Sequence, residues 1–304
     1  MTSSVIEIRG VSKRFGETRA VDGVDLTVHE GEVFGLIGHN GAGKTTLLKL
    51  MLGLLPATSG DIRVCGQPVR GEMFRCVRRN IGYLPESTAL YDNLSGLETI
   101  LFFARLKGAD PGSCLPLLEK LGLADAARRA VIEYSKGMKQ RLAFAQALLG
   151  NPRILFLDEP TNGLDPQGIR EFYQILRNLR EEGVTAILSS HILAEIQQRV
   201  DRLALMKTGK IQALGTVQTL REQSNLPLAI QVKLYNGAEG ALRRVLSHKQ
   251  IIRVAGSTAY LQCERSQKMI VLNALSGLGQ QVLDIDIQEP SLEEVFLGHT
   301  DIAS

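Results

Sequence analysis

The sequence predicts an α/β fold, in which a parallel sheet is covered by helices and a small α+β module follows. Three observations predict it. A glycine-rich turn, GHNGAGKTT at residues 38–46, joins an apolar strand to a helix. Short apolar strands alternate with helical stretches from about 153 to 215, the pattern of a parallel sheet with both faces buried. Beyond REQSNLP at 221–227 the order changes to βαββαβ, compatible with a ferredoxin-like module. The expected domains are therefore 1–222 and 223–304.

Each element has its own signal. VIEIRGVSKRF, VDGVDLTVHEGEVFGLIG and SGDIRVCGQPV alternate apolar residues with turns and read as strands or hairpins. GKTTLLKLMLGLL has helical spacing and stops before Pro56. From 94 to 150 the chain reads as helical: LSGLETILFFARLKG, then CLPLLEKLGLADAARR, then a stretch capped by Ser135. Next come strand RILFLDEP, helix QGIREFYQILRNLREEG, strand VTAILSSH, helix ILAEIQQRV and hairpin DRLALMKTGKIQALG. The module beyond 227 reads as LAIQVKL (strand), AEGALRRVL (helix), strands around IIRVAG and AYLQCE, KMIVLNALSG (helix), QQVLDIDIQ (strand) and a last helix LEEVFLG. Ser291 and Glu294 stand at capping-box spacing before that last helix, and His248 and His299 read as isolated surface residues.

Composition narrows the function classes. Net charge is +3, from 35 basic and 32 acidic residues, which gives no electrostatic case for nucleic acid as a partner. Cys65, Cys76, Cys114 and Cys263 are scattered, with no metal-binding spacing, and read as reduced thiols. No signal peptide opens the chain and no apolar run is long enough to span a bilayer. The expectation is a cytoplasmic protein whose membrane part, if it has one, is another chain.

The chemistry sits in three strand ends. GHNGAGKTT fits G-x-x-x-x-G-K-[ST] between a strand and a helix. Such a loop turns backbone N–H groups of Gly38, His39, Asn40, Gly41, Ala42 and Gly43 around phosphate oxygens. The N-terminus of the helix that follows, with Thr46 among its first residues, adds its field. Lys44 supplies charge to the β- and γ-phosphates, and Thr45 offers a hydroxyl to Mg²⁺. The implied ligands are ATP and Mg²⁺. ILFLDEP delivers Asp158 and Glu159 to the carboxyl edge of the sheet. Asp158 is the candidate partner of Mg²⁺, and Glu159 the general base or the group that positions the attacking water. His191, ending VTAILSSH, is placed to reach the γ-phosphate and that water. The NGLDP turn brings Asp165 toward the acidic pair, and Phe15 is a candidate to stack on a purine ring.

Phe15, GHNGAGKTT, YSKGM, ILFLDEP, GLDP and SSH occur in the order found in ABC transporter ATPases, and residues 1 to about 222 resemble that family. The resemblance implies a P-loop NTPase of ABC type: a RecA-like parallel core, an antiparallel β subdomain and a helical subdomain. It implies a homodimer in which each ATP lies between one chain's P-loop and the other's signature turn. Residues 134–138, YSKGM, stand at the signature position, so Ser135 and Gly137 would touch the γ-phosphate held by the partner copy. Lys136 replaces a signature glycine, and would draw in the triphosphate or meet an acidic group across the dimer. Glu86 stands where the family has a loop glutamine that touches Mg²⁺ and senses the permease.

YLPE, LFFARLKG, YSKGMKQRL and PSLEEVFL resemble subunits that pair with separate ABC-2-type permeases. General similarity over FAQALLGNPRILFLDEPTNGLDPQGIREFY and LSSHILAEIQQRVDRLALM points to the ATPases that serve maturation of nitrous-oxide reductase, a copper enzyme. The resemblance thus implies an ATP-hydrolysing subunit, peripheral on the inner face of the cell membrane. Its partners would be a second copy, permease subunits and a periplasmic assembly protein. An exporter of drug, lipid or polysaccharide is the alternative, and a non-transport ABC ATPase the rival beyond it. A P-loop kinase would leave the signature turn and SSH unexplained.

Overall fold

The computed structural model describes residues 3–223, 227–235, 238–247 and 250–289. The chain divides into two compact units, 1–216 and 217–304. The first unit runs β1 (Ser4–Phe15), β2 (Thr18–His29), β3 (Val33–Ile37), α1 (Lys44–Met51), β4 (Ser59–Val64), β5 (Gln67–Pro68), α2 (Glu72–Arg79) and β6 (Ile81–Leu84). It continues through α3 (Gly96–Lys107), α4 (Cys114–Lys120), α5 (Lys136–Leu148), β7 (Ile154–Leu157), α6 (Pro166–Glu181), β8 (Thr185–Ser190), α7 (Leu193–Ile196), β9 (Arg202–Lys207) and β10 (Lys210–Gly215).

Two sheets share one core. The larger has the order β10-β9-β3-β8-β7-β6, parallel from β9 to β6 with β10 antiparallel at its edge. β3, β7 and β8 are buried at every residue, as strands covered on both faces must be. The smaller sheet, β2-β1-β4-β5, is antiparallel. Its inward residues Ile6, Ile8, Val24 and Leu26 join Phe34, Leu47, Leu48 and Phe156 in one apolar cluster. α1 is thereby clamped between the two sheets, which fixes the loop that precedes it.

Four local details differ from the sequence expectation. α2 has no counterpart in the sequence reading: its EMFRCVRR is only eight residues long, half of them charged, and it buries only Phe74. The helix from Cys114 ends at Lys120, because Gly122 turns at φ +66°. α1 ends at Met51 and Gly53 turns at φ +67°. α7 covers only Leu193–Ile196, and the chain turns back so that Asp201 accepts from the Val33 N–H at 2.8 Å.

The second unit comprises α8 (Val217–Gln223), β11 (Leu228–Leu234), α9 (Glu239–Val245), β12 (Ile251–Ala255), β13 (Thr258–Cys263), α10 (Lys268–Ser276) and β14 (Val282–Gln288). Its antiparallel sheet has the order β12-β13-β11-β14. That is the order a βαββαβ chain reaches when each helix crosses over one intervening strand. Leu228, Ile230, Val232 and Leu234 alternate inward against Leu242, Val271 and Leu275 of the helices. The capping box at Ser291 and Glu294, the helix after it, His248 and His299 lie outside the described residues.

Candidate nucleotide site

Strand order explains why distant residues meet. β3, β8 and β7 are neighbours. Their carboxyl ends lead into the loop at Gly38, into His191 and into Asp158–Glu159. This is the edge at which open α/β sheets bind ligands.

The glycine loop is shaped by close approach. A Cβ on Gly38 would strike the Met206 carbonyl, and one on Gly43 the Ala20 carbonyl. Gly43 also has φ +105°, a conformation that L side chains rarely adopt. α1 begins at Lys44, and its first N–H groups, including those of Thr45 and Thr46, have no intrahelical acceptor. They face outward with the positive end of the helix. His39, Asn40 and Gly41 are exposed and Ala42 is buried. His39 Nδ1 lies 2.7 Å from the Asn40 carbonyl, a bond within the loop.

Lys44 is buried and is held by its own loop: Nζ donates to the Gly38 carbonyl at 2.6 Å and to that of His39 at 3.4 Å. Its ammonium also lies 3.2 Å from Glu159 Oε1, an ion contact without hydrogen-bond alignment. The other Glu159 oxygen, Oε2, is 2.8 Å from His191 Nδ1. Glu159 is thus clamped between the P-loop lysine and the histidine that follows β8. Its backbone is left-handed, φ +49°, although it is not glycine. Such a conformation persists only where its surroundings impose it.

Ser189 is the hub behind this pair. Its hydroxyl donates to Asp158 Oδ1 at 2.6 Å and accepts from the Glu159 N–H at 2.9 Å. Thr45 Oγ1 donates to the same Asp158 oxygen at 3.1 Å. Asp158 Oδ2 is buried and accepts no hydrogen bond among the described residues. A buried carboxylate oxygen without a partner costs about 1–3 kcal/mol, and a hydrated divalent cation beside Thr45 would satisfy it. Thr45 and Asp158 therefore fit Mg²⁺. The SSH motif yields only its histidine as a candidate in the sequence; an inward-pointing serine on an apolar strand is the signal that marks Ser189.

Glu86 is exposed and makes no hydrogen bond or ion pair among the described residues, so it does not join Thr45 and Asp158 directly. Burial first, then the charges of Asp158 and Glu86, pushes the Tyr83 hydroxyl up to about 12. Asp165 caps α6, accepting from the Gly168 N–H at 2.8 Å, and makes no contact with Asp158 or Glu159 among the described residues. Phe15 is 48% exposed at the end of β1, with the Lys13 ammonium 5.1 Å from its ring centre. The same hairpin presents the Ala20 carbonyl to Gly43.

The second candidate surface is the start of α5. Ser135 is its N-cap and accepts from the Met138 N–H at 3.2 Å. Tyr134 anchors it from below: its hydroxyl donates to the Ala126 carbonyl at 2.7 Å and fills the space that a Cβ on Gly96 would need. Ser135 and Lys136 are exposed and Gly137 half-buried. The Lys136 stem lies against Gly163, in the turn after Glu159.

Comparison with known proteins bears on this arrangement. Residues 21–162 match the family model described as ABC transporter. The chain is 36% identical over 305 residues to the daunorubicin resistance ATP-binding protein DrrA3 of Streptomyces coeruleorubidus, covering 98% of this chain and 96% of that one. It is 35% identical over 304 residues to the bacitracin transport ATP-binding protein BcrA of Bacillus licheniformis, covering 97% of each. A solved dimeric ATP-binding cassette, in a post-hydrolysis state bound to ADP and Pi, superposes with a TM-score of 0.64 at 26% identity, over 70% of this chain and 98% of that one.

Proposed function

This chain belongs to the ATP-binding proteins of ABC transporters, and from that premise we propose that it hydrolyses ATP as a homodimer to drive a separate exporter permease. It is an ATP hydrolase of the ABC type. No helix among the described residues is long and apolar enough to cross a membrane, and the permease is assigned to a separate chain. The observation that carries the mechanism is the Glu159 carboxylate, held 3.2 Å from Lys44 and 2.8 Å from His191 beside the unsatisfied Asp158 oxygen.

The residue roles follow from that geometry. The N–H groups at the start of α1 and the Lys44 ammonium bind the β- and γ-phosphates. Thr45 and Asp158 would hold Mg²⁺, and that ion would supply positive charge to offset the phosphate oxygens. A phosphate at Lys44 competes with Glu159 for the ammonium and frees that carboxylate to take a proton from water. His191 keeps the carboxylate aimed, and its exposed edge reaches the γ-phosphate. Phe15 stacks on the base. Ser135 and the Gly137 N–H, at the open end of α5, serve the triphosphate held by a second copy. Glu86 and the segment after it couple closure to the permease, and Asp165 holds α6 in place.

The names of the daunorubicin-resistance and bacitracin-transport relatives support export of a drug-like cargo. Service of nitrous-oxide-reductase maturation, with copper and a periplasmic assembly partner, draws no support from them. Purified chain with Mg²⁺ and γ-labelled ATP tests the reaction. Label is expected in inorganic phosphate, and Lys44→Ala is expected to abolish it. Label in an organic acceptor would make the protein a kinase.

A further inference from the structure

Helix α5 would touch the partner's nucleotide, and the turn after β7 carries the carboxylate that would act on the chain's own. Within one chain these two parts are fastened together. Gln140, about one and a half turns into α5, donates from Nε2 to the Pro160 carbonyl at 2.9 Å. Pro160 is buried and directly follows Glu159. The Lys136 stem covers Gly163, which turns at φ +82° in the same loop. Farther along, Phe144 packs on Phe172 of α6 with ring centres 4.9 Å apart. Of these contacts, the Gln140 bond lies nearest to Glu159 in the chain.

We propose that Gln140 is a positioning residue that carries the engagement of α5 with the partner's nucleotide to Glu159 of its own chain. The proposal rests on the dimer described under the proposed function, and adds a route between its two sites. α5 spans 13 residues, from Lys136 to Leu148, and moves as a rigid rod, so a shift at Ser135 is a shift at Gln140. The Glu159 backbone, at φ +49°, sits in a narrow well and absorbs little rotation. Displacement of the Pro160 carbonyl therefore passes to the carboxylate between Lys44 and His191. The residue type suits this role, because an amide donates to a carbonyl, whereas a carboxylate of the same shape cannot and repels it.

Mixed dimers of tagged full-length chains separate this role from simple support of the helix. The reference pairs wild type with Glu159→Gln, leaving one working base, and phosphate release is followed in a single turnover. In the first test dimer Gln140→Glu is in the chain with the working base, opposite Glu159→Gln. Release is expected to slow at least about tenfold. In the second, one chain carries both Gln140→Glu and Glu159→Gln, opposite wild type. The same substitutions are present, but the working base keeps its own Gln140, and the rate is expected within about twofold of the reference. Equal rates in the two, or the reverse order, overturn the proposal. The Gln140→Glu homodimer provides an arm that needs no mixing: kcat falls about tenfold while KM for ATP stays within about twofold, and an unchanged kcat overturns the proposal. Gln140→Met, uncharged and of the same length, replaces Gln140→Glu if thermal melting shows the latter unfolded, with the same pattern expected. A wild-type homodimer that releases no phosphate refutes the ATPase reading itself and takes this proposal with it.

Discussion

Glu159 combines three costs at one residue: a left-handed backbone, a buried carboxylate and a buried ion contact with Lys44. Left-handed strain alone is worth about 1–3 kcal/mol. The Ser189 hydroxyl, Lys44 and His191 together hold it there. Glu159→Gln keeps the shape and removes the basicity. It is expected to bind ATP normally and to turn over roughly 10²–10⁴ times more slowly, measured by phosphate release at saturating ATP. Ser189→Ala acts on stability instead. It strips Asp158 of a buried donor and the Glu159 N–H of its acceptor, so urea unfolding is expected to show a loss of about 1–3 kcal/mol. A loss within error would mean that water replaces the hydroxyl.

Among the elements, α3 and α5 show how caps place a functional surface. Ser95 and Glu98 form a reciprocal capping box on α3: Glu98 accepts from the Ser95 N–H at 2.8 Å, and Ser95 Oγ accepts from the Glu98 N–H at 3.2 Å. The bond from the Ser95 N–H, then that from its side chain, holds the Glu98 carboxyl below its ordinary 4.5. A carboxyl lowered in the folded state stabilises fully above the ordinary value, and that contribution disappears as pH falls through the lowered one. Glu98→Gln is therefore expected to lower the melting temperature at neutral pH and to flatten its decline below pH 4.5; parallel curves would contradict this. Tyr134→Phe tests the anchor of α5. Losing the bond to the Ala126 carbonyl is expected to cost about 1 kcal/mol, whereas Gly96→Ala, which collides with the hydroxyl, costs about 1–3 kcal/mol, both read by denaturant unfolding. Motif residues at strand ends are legible in the sequence because strand, turn and chemistry coincide within a few positions, as at Gly38–Thr46 and Asp158–Glu159. The bond from Gln140 to Pro160 and the fit of Tyr134 over Gly96 are not legible there. Each joins segments that only the packed core brings together. α2 escapes a sequence reading because eight residues, half of them charged and with one buried anchor, Phe74, make a short polar stretch that reads as a loop.

At the scale of the molecule, the first unit has the candidate nucleotide site and the second has a separate core built on β11 to β14. None of the candidate site residues falls in the second unit. Each chain offers two candidate faces: the loop before α1 with Glu159 and His191, and the open start of α5 with Ser135 and Gly137. In the dimer proposed above the two faces would complete each other around a triphosphate, so activity would require two copies head to tail. Sedimentation velocity of the Glu159→Gln chain with Mg²⁺ and ATP puts that requirement to the test. The chain is expected to be a monomer that becomes a stable dimer with ATP, fails to do so with ADP, and fails again when Ser135→Arg blocks the start of α5. A Glu159→Gln chain that binds ATP and stays monomeric at every protein concentration would contradict it.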